Sequence, residues 1–443
     1  FVLMRLGAVL MATLAFGQCT LGFVGRCITR RRPTPRLSRV AMRHGGEVAG
    51  RRVAAASANA EASRTEKYRH LSQREHVLLR PDMYIGPVEP RNLSDWVLDE
   101  TGAIRERELR LSLGLVQVYN EILVNAIDRQ FSDAGEQEMS AIRIEVDENI
   151  GRISLWNDGG AIPIQKHARS GLWTPTLVFG EFLSGDNFDD SQIRFVGGRN
   201  GVGAKATNAY STSFEVTVQD PEVRMEFQQE WRDNMVDRLE PDITELDDDV
   251  TRGSVQISFQ PDLARFGLST IDTDHVQMFK SRAYDAAACT RPDIHVSFNG
   301  EELGVARFED YAAHILGPAT VVTQVKDAAG RVRAEIGAAF SGNSGFRALG
   351  LVNGIRCSSG THVKHVTDQL SEGIAALARG ARSRKSLVPV AMVKPFLSLV
   401  IKVLVDSPVF DSQTKTRLST TTKKLGFDLV VPADFITEVA SLG

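Results

Sequence analysis

The chain has 443 residues, enough for two or three domains with sizeable cores, and a formal net charge of −3. That near-balance hides a split: residues 1–64 hold 11 Arg, no Lys and only Glu47 and Glu61, so they carry +9 and the remainder −12. An acidic body argues against broad nonspecific binding to nucleic acid and leaves only a local basic strip for that purpose. Cys19, Cys27, Cys289 and Cys357 form no CxxC pair and no zinc spacing, which fits a reducing compartment and a body without structural disulfides.

Leu6–Gly25 is uncharged and largely apolar, and six arginines from Arg26 to Arg39 follow, interrupted by Pro33 and Pro35. An Arg-rich, acid-poor segment of this kind reads as an organelle-targeting leader over residues 1–64, with the apolar start as a signal-peptide core. A membrane anchor is the competing reading, since about 20 apolar residues can span a bilayer. Gly7, Gly17, Gln18, Thr20 and Gly22 weaken it, and no stable membrane association is expected.

Lys67–Asp82 reads as an arm leading into a short helix that stops at Arg80-Pro81. Leu113–Arg129 predicts a long helix. Ile142, Ile144 and Val146 alternate, Asn149-Ile150-Gly151 turns, and Ile153 and Leu155 alternate again, a hairpin pattern. Strands around Phe214–Val218 and Val255–Phe259 precede a helix near Thr273–Ala288. This order, with no regular βαβ alternation, predicts an α+β layered domain over 65–305 rather than a doubly wound one. A second unit, 306–443, shows alternating runs at Val332–Phe340 and Gly350–Ile355. It continues with an amphipathic helix striped by Val363, Val366, Leu370, Ile374 and Leu377. A basic loop, Arg379–Lys385, a buried strand, Leu397–Val405, and a polar loop, Asp411–Lys415, complete it.

The long helix carries the first chemical signal. At about 100° per residue, Glu121, Asn125 and Asp128 share a sector of roughly 60° on a helix otherwise apolar nearly all round. Such a helix is buried, and a buried carboxylate is costly unless a metal ion, a cation or a nucleotide faces it. A hydrogen-bonded polar edge is the plainer reading. The second signal is Val196-Gly197-Gly198-Arg199-Asn200-Gly201-Val202-Gly203-Ala204-Lys205, four glycines and two cations ahead of a helix-compatible run. Glycines let backbone N–H groups approach an anion, and a helix start favours it. The loop is neither a Walker loop nor a dinucleotide GxGxxG turn, and a glycine-rich turn by itself is often only a turn.

Taken in order, Glu121-x-x-x-Asn125-x-x-Asp128, Asn157-Asp158-Gly159 and Gly198-Arg199-Asn200-Gly201-x-Gly203-x-Lys205 resemble the three ATP-site boxes of the GHKL superfamily. Arg80-Pro81-Asp82-Met83-Tyr84-Ile85-Gly86, Phe227-x-x-x-Trp231-x-Asp233-Asn234-Met235 and Phe410-Asp411-Ser412-Gln413-Thr414-Lys415 narrow the resemblance to the ATPase region of eukaryotic-type DNA topoisomerase II, from about residue 67 onward. The resemblance implies a Bergerat-type two-layer α/β sandwich with a mixed sheet, followed by a ribosomal-S5-like transducer domain. It implies ATP and Mg²⁺ as cofactors, with Glu121 as general base and Asn125 as the Mg²⁺ ligand. Asn157 falls at the adenine end. Asn187, Arg199, Asn200 and the backbone of Gly201, Val202, Gly203, Ala204 and Lys205 form the cover over the phosphates. Gln413 and Lys415 reach from the transducer to the γ-phosphate, where a cation stabilises transition-state charge. Asp128 reads as support, and Arg129 and Asp158 as satisfied surface groups.

The resemblance further implies duplex DNA passing through a gate, homodimerisation on ATP binding, and TOPRIM and cleavage domains in the same or another chain. Tyr68 could belong to an arm that touches a partner subunit's nucleotide, with simple packing as the plainer reading; Arg379, Arg382, Arg384 and Lys385 occupy a loop that faces DNA in the family, with a solvated basic loop as an equal reading. Ala161 departs from the family pattern by replacing a glycine, Gly185-Asp186 by replacing two hydroxyl residues, and Val202 by replacing an aromatic. A degenerate GHKL-fold interaction protein without topoisomerase activity is the alternative, and a chaperone or mismatch-repair relative is disfavoured by the Gln413-Thr414-Lys415 context. The family implies the nucleus, whereas the leader points to a plastid or mitochondrion.

Overall fold

The structure, a computed structural model, describes residues 70–443 except Glu100, 132–137, 185–194, Val196, 198–200, Asn343, 382–387 and Gly443. The chain divides into Phe1–His70 and the compact unit Leu71–Gly443, which carries two large sheets and two small two-stranded ones. The leader, Tyr68, Gly185, Asp186 and the basic residues Arg382, Arg384 and Lys385 fall outside the described residues, as does the side chain of Arg379. Among the described residues no helix is long and apolar enough to cross a membrane.

A capping box at Ser72 and Glu75 starts helix α1 (Gln73–Leu79), and Pro81 ends it. A charged hairpin follows, β1 (Arg91–Leu98) and β2 (Ile104–Leu111), which the sequence pattern did not suggest because its apolar residues do not alternate regularly. Helix α2 (Leu113–Asp128) begins where Ser112 Oγ accepts the N–H of Leu115, while the Ser112 N–H donates to the buried His275. Only Leu113, Asn120, Asn125 and Asp128 on it escape full burial, which bears out the reading of an apolar helix with a narrow polar edge.

The main sheet is built from β3 (Ala141–Asp147), β4 (Arg152–Asn157), β5 (Ser211–Asp220), β6 (Met225–Arg232), β7 (Asp237–Arg238), β8 (Asp242–Glu245), β9 (Ser254–Pro261), β10 (His295–Phe298) and β11 (Glu301–Glu302). Its order is β11-β10-β3-β4-β9-β5-β6-β7, with β8 also on β6, and only β10 against β3 is parallel. The short helices α3 (Thr174–Gly180) and α4 (Gly203–Ala209) and the long α5 (Thr273–Cys289) join α2 over this mixed sheet, an α+β layer as expected.

Helix α6 (Phe308–Leu316), absent from the sequence reading, leads into the second sheet: β12 (Val321–Lys326), β13 (Val332–Phe340), β14 (Arg347–Val352), β15 (Ile355–Arg356), a small pair β16 (Ser359–Gly360) and β18 (Arg417–Leu418), and β17 (Leu397–Val403). The expected run Gly350–Ile355 is not one strand: Asn353 (φ 47°) and Gly354 (φ 79°) turn the chain, so β14 pairs antiparallel with β15. Strand β17 reads Leu-Ser-Leu-Val-Ile-Lys-Val because both its faces are covered. Val400 packs into the first core with Leu349 and Leu351, while Leu399, Ile401 and Val403 pack into the second. Helix α7 (Thr361–Ala381) buries Val363, Val366 and Leu370 there; Leu377 at the end of its expected stripe is instead 42% exposed. A single turn, α8 (Val390–Val393), and α9 (Ala433–Ala440) close the unit, Ile436 filling the space above Gly373.

Candidate functional site

Helix α2 gathers the boxes one after another along its length. Glu121 is 5% exposed; its Oε1 accepts the Gln117 amide at 2.5 Å and faces the Lys415 Nζ at 3.3 Å. Its other oxygen, Oε2, lies against Gly203, the first residue of α4, where any Cβ would collide with it. That glycine therefore lets the end of the glycine loop rest directly on the carboxylate. Asn125, one turn further along α2, is half-buried, and its amide makes no hydrogen bond to a described residue. Val124 and Asp128 hold Gly197: both Asp128 oxygens accept its N–H at 3.0 Å, and a Cβ there would meet Val124 at 2.6 Å and the Asn353 carbonyl at 2.9 Å. Asp128 thus supports the loop, the role its position suggested.

Past the end of α2, Arg129 donates to the carbonyls of Gly160 (2.9 Å) and Ala161 (3.1 Å), tying the helix to the turn after β4. Asn157 ends that strand, 5% exposed, and its Oδ1 accepts the Gly159 N–H at 3.2 Å. Gly159 has no room for a Cβ, which would sit 2.8 Å from Arg129 and 3.0 Å from Met139. Asp158 is not a surface group as expected from sequence: it is 2% exposed and accepts from Ser140, Ala141 and Arg252. Burial raises its pKa, but the Ser140 hydroxyl, the two backbone N–H groups and Arg252 together hold it below the usual value. Arg129 is likewise half-buried, clamping rather than merely solvated. The backbone freedom of this turn resides at Gly160 (φ 86°); Ala161 keeps an ordinary φ and packs its methyl on the main core.

Of the glycine loop, Asn187, Arg199 and Asn200 lie outside the described residues. Gly201 takes φ 59°, Val202 leads into α4, and Ala204 and Lys205 are buried in its first turn. The Lys205 ammonium is 2% exposed and donates to the carbonyls of Ser184 and Gly201, both at 2.6 Å, so it holds the chain on either side of the loop.

Lys415 comes from the far end of the sequence. The turn Ser412–Lys415 places it at φ 55°, with its N–H on the Ser412 carbonyl and its own carbonyl receiving the Cys357 thiol at 2.8 Å. Gln413, two residues earlier, is half-buried. The same turn explains Gly86 in the Arg80–Gly86 motif: Gly86 (φ 84°) has Thr414 Cγ2 2.7 Å from where its Cβ would be. Gln117 is the site residue the sequence reading missed, though its position four residues before Glu121 placed it on the same helical face.

Fold and site together define a GHKL-type α+β module followed by a second, five-stranded layer. Residues 307–439 match the family model described as DNA gyrase B. Human DNA topoisomerase 2-alpha is 35% identical over 382 residues, 85% of this chain and 24% of that protein. The ATPase region of Saccharomyces cerevisiae topoisomerase II matches with a TM-score of 0.78 at 32% identity, covering 85% of this chain and 96% of that one. The ATPase and transducer domains of DNA topoisomerase II from Balamuthia mandrillaris give 0.78 at 36% identity, covering 85% and 95%. The chain therefore belongs to the type II DNA topoisomerase family, and it corresponds to the ATPase region of the eukaryotic-type members. It spans about a quarter of the length of the curated relatives it matches.

Proposed function

We propose that this chain is the ATP-hydrolysing gate module of a type II topoisomerase, with 65–305 as the ATPase domain and 306–443 as the transducer. In this reading nucleotide binding closes a homodimer around duplex DNA, and the TOPRIM and cleavage domains lie in the same or another chain. The observation that carries it is the 3.3 Å contact between Glu121 and Lys415, 294 residues apart in sequence, one on the long buried helix and one on the second layer.

The residues present fit Mg-ATP. Asn125 offers a hard amide oxygen that makes no hydrogen bond to a described residue, and the Lys415 ammonium beside Glu121 is a cation for the phosphates. When bound, ATP supplies the phosphoryl group and Mg²⁺ neutralises its charge. Gln117 and Lys415 both occupy Glu121 Oε1, which leaves Oε2 to take the proton of the attacking water. Lys415 places a cation where negative charge develops, and Asn157 holds the adenine end. Lys205 and Asp128 keep the loop over the site, and Gln413 reaches in beside Lys415.

Replacing Glu121 by Gln tests the reading. The expected result is a loss of ATP turnover of at least about a hundredfold with nucleotide affinity largely kept. Equal turnover in both proteins sinks it in favour of a degenerate, non-hydrolysing interaction protein of the same fold.

A further inference from the structure

A four-membered stack joins the end of the Glu121 helix to the interior of the second sheet. Phe131, in the turn that follows α2, meets Phe195 edge-on with centroids 6.1 Å apart. Phe195 stands two residues before Gly197, the glycine held by Asp128. Its ring lies 4.5 Å from the Arg333 guanidinium, and the Phe427 ring lies 4.9 Å from the same guanidinium. Arg333 is 2% exposed in β13 and donates to the Leu404 carbonyl (2.9 and 3.1 Å), to Asp406 (2.6 Å) and at longer range to Leu425 and Asp327.

The two sides of this arginine differ in kind. Its hydrogen bonds all go to residues of the second layer, so the guanidinium is fixed there whatever happens at Phe195. The link toward the nucleotide side is ring stacking, a contact that separates without leaving a buried donor unpaired. A contact that is strong enough to bias and cheap enough to break suits a joint between two arrangements better than a fixed one.

We propose that the Phe131–Phe195–Arg333–Phe427 stack couples the nucleotide site to the second sheet, fixing Phe195 and Gly197 for nucleotide before nucleotide arrives. The inference rests on the ATP reading above. Loss of the stack leaves Gly197 to be positioned at the moment of binding, which weakens binding. The coupling is reciprocal, so a change on the far side of Arg333 reaches the nucleotide as well.

The test is a double-mutant cycle on the affinity of a non-hydrolysable ATP analogue, measured by calorimetry on the whole chain. Phe195→Leu and Phe427→Leu keep apolar volume and remove the ring; Phe195→Tyr keeps the ring. The expected result is a Kd about three- to tenfold weaker for each Leu variant, a double variant no worse than the weaker single, and near-normal affinity for the Tyr variant. Phe427 is remote from the nucleotide, so a merely structural role lowers the melting temperatures and leaves the Kd values unmoved, which overturns the proposal. Leu effects that multiply in the double variant also overturn it. If the unmutated protein fails to bind the analogue, the ATP reading falls and takes this inference with it.

Discussion

Among the described residues, Arg356 and Lys415 are the second-layer cations that pair with carboxylates of the first, and they are held in opposite ways. Arg356, on β15, uses all five of its N–H donors: Asp285 (2.6 and 2.7 Å), the Trp96 carbonyl (2.6 Å), Ser281 (3.1 Å) and Asp95 (3.3 Å). Arg282 and Tyr311 complete the same buried cluster by bonding Asp95 and Asp285. Burial raises the Asp95 pKa, yet the two arginines and the Trp96 N–H hold it below the usual range. The Lys415 ammonium, by contrast, makes one hydrogen bond to a described residue, at 3.3 Å, from a turn with left-handed backbone. A saturated junction resists change, whereas one with donors to spare answers to whatever charge arrives beside it. The molecule thus pairs a fixed pivot with a responsive arm, and Cys357, adjacent to Arg356 and bonded to the Lys415 carbonyl, connects the two.

The largest expected effect separates the two junctions directly. Arg356→Ala leaves Asp285 buried without its nearest cation and takes one of two arginines from Asp95, and a loss of about 3–5 kcal/mol in unfolding free energy is expected from urea titration. Lys415→Ala removes one 3.3 Å contact and leaves Glu121 Oε1 paired with Gln117, so it should lower stability less than Arg356→Ala does while it removes most ATP turnover. If Lys415→Ala proves as destabilising as Arg356→Ala, the distinction between pivot and arm fails.

A smaller effect lies beneath the segment that joins them. His362, at the start of α7, is fully buried, neither ring nitrogen has a hydrogen-bond partner among the described residues, and glycine is the only residue type at 350 that its Nε2 and the Cys357 carbonyl leave room for. Burial disfavours the imidazolium and lowers its pKa from 6.5 to about 4. The unfolded chain therefore binds a proton near pH 6.5 that the native state refuses until about pH 4. This contribution to stability is complete above that range and is lost as pH falls through it, by about 2 kcal/mol between pH 6.5 and 5. Replacing His362 with Gln should flatten that slope in urea titrations at the two pH values; an unchanged slope contradicts the assignment.

How much of this was legible beforehand follows from what each feature depends on. Helix α2 announced itself because a 3.6-residue period with one polar edge is a local property, and so did the hairpin of β3 and β4. The three boxes were readable because glycine and carboxylate spacing is local too. Arg356 was not, since nothing in Asn353-Gly354-Ile355-Arg356-Cys357 reveals that Asp95 and Asp285 wait across the fold. Asp158 was misplaced for the same reason: beside two glycines it reads as a turn residue, and only Ser140 and Arg252, distant in sequence, bury it. The β1–β2 hairpin escaped because Arg105, Glu106, Arg107 and Glu108 interrupt the apolar alternation between the buried Ile104 and Leu109.

The smallest expected effect concerns Ala161, where the sequence departs from its family's glycine. A glycine is needed where φ is left-handed or a Cβ has no room, and the turn meets both needs elsewhere. Gly160 takes φ 86°, and Gly253 is the residue that a side chain would drive into the Ala161 backbone N, at 2.7 Å. Ala161→Gly therefore releases no strain; it loosens the unfolded chain and removes a methyl from the core, lowering stability by about 0.5–1 kcal/mol. Affinity for the ATP analogue should change by less than about twofold. A clear gain in affinity instead would mean that the methyl obstructs the adenine end, and that the family glycine serves the nucleotide rather than the turn.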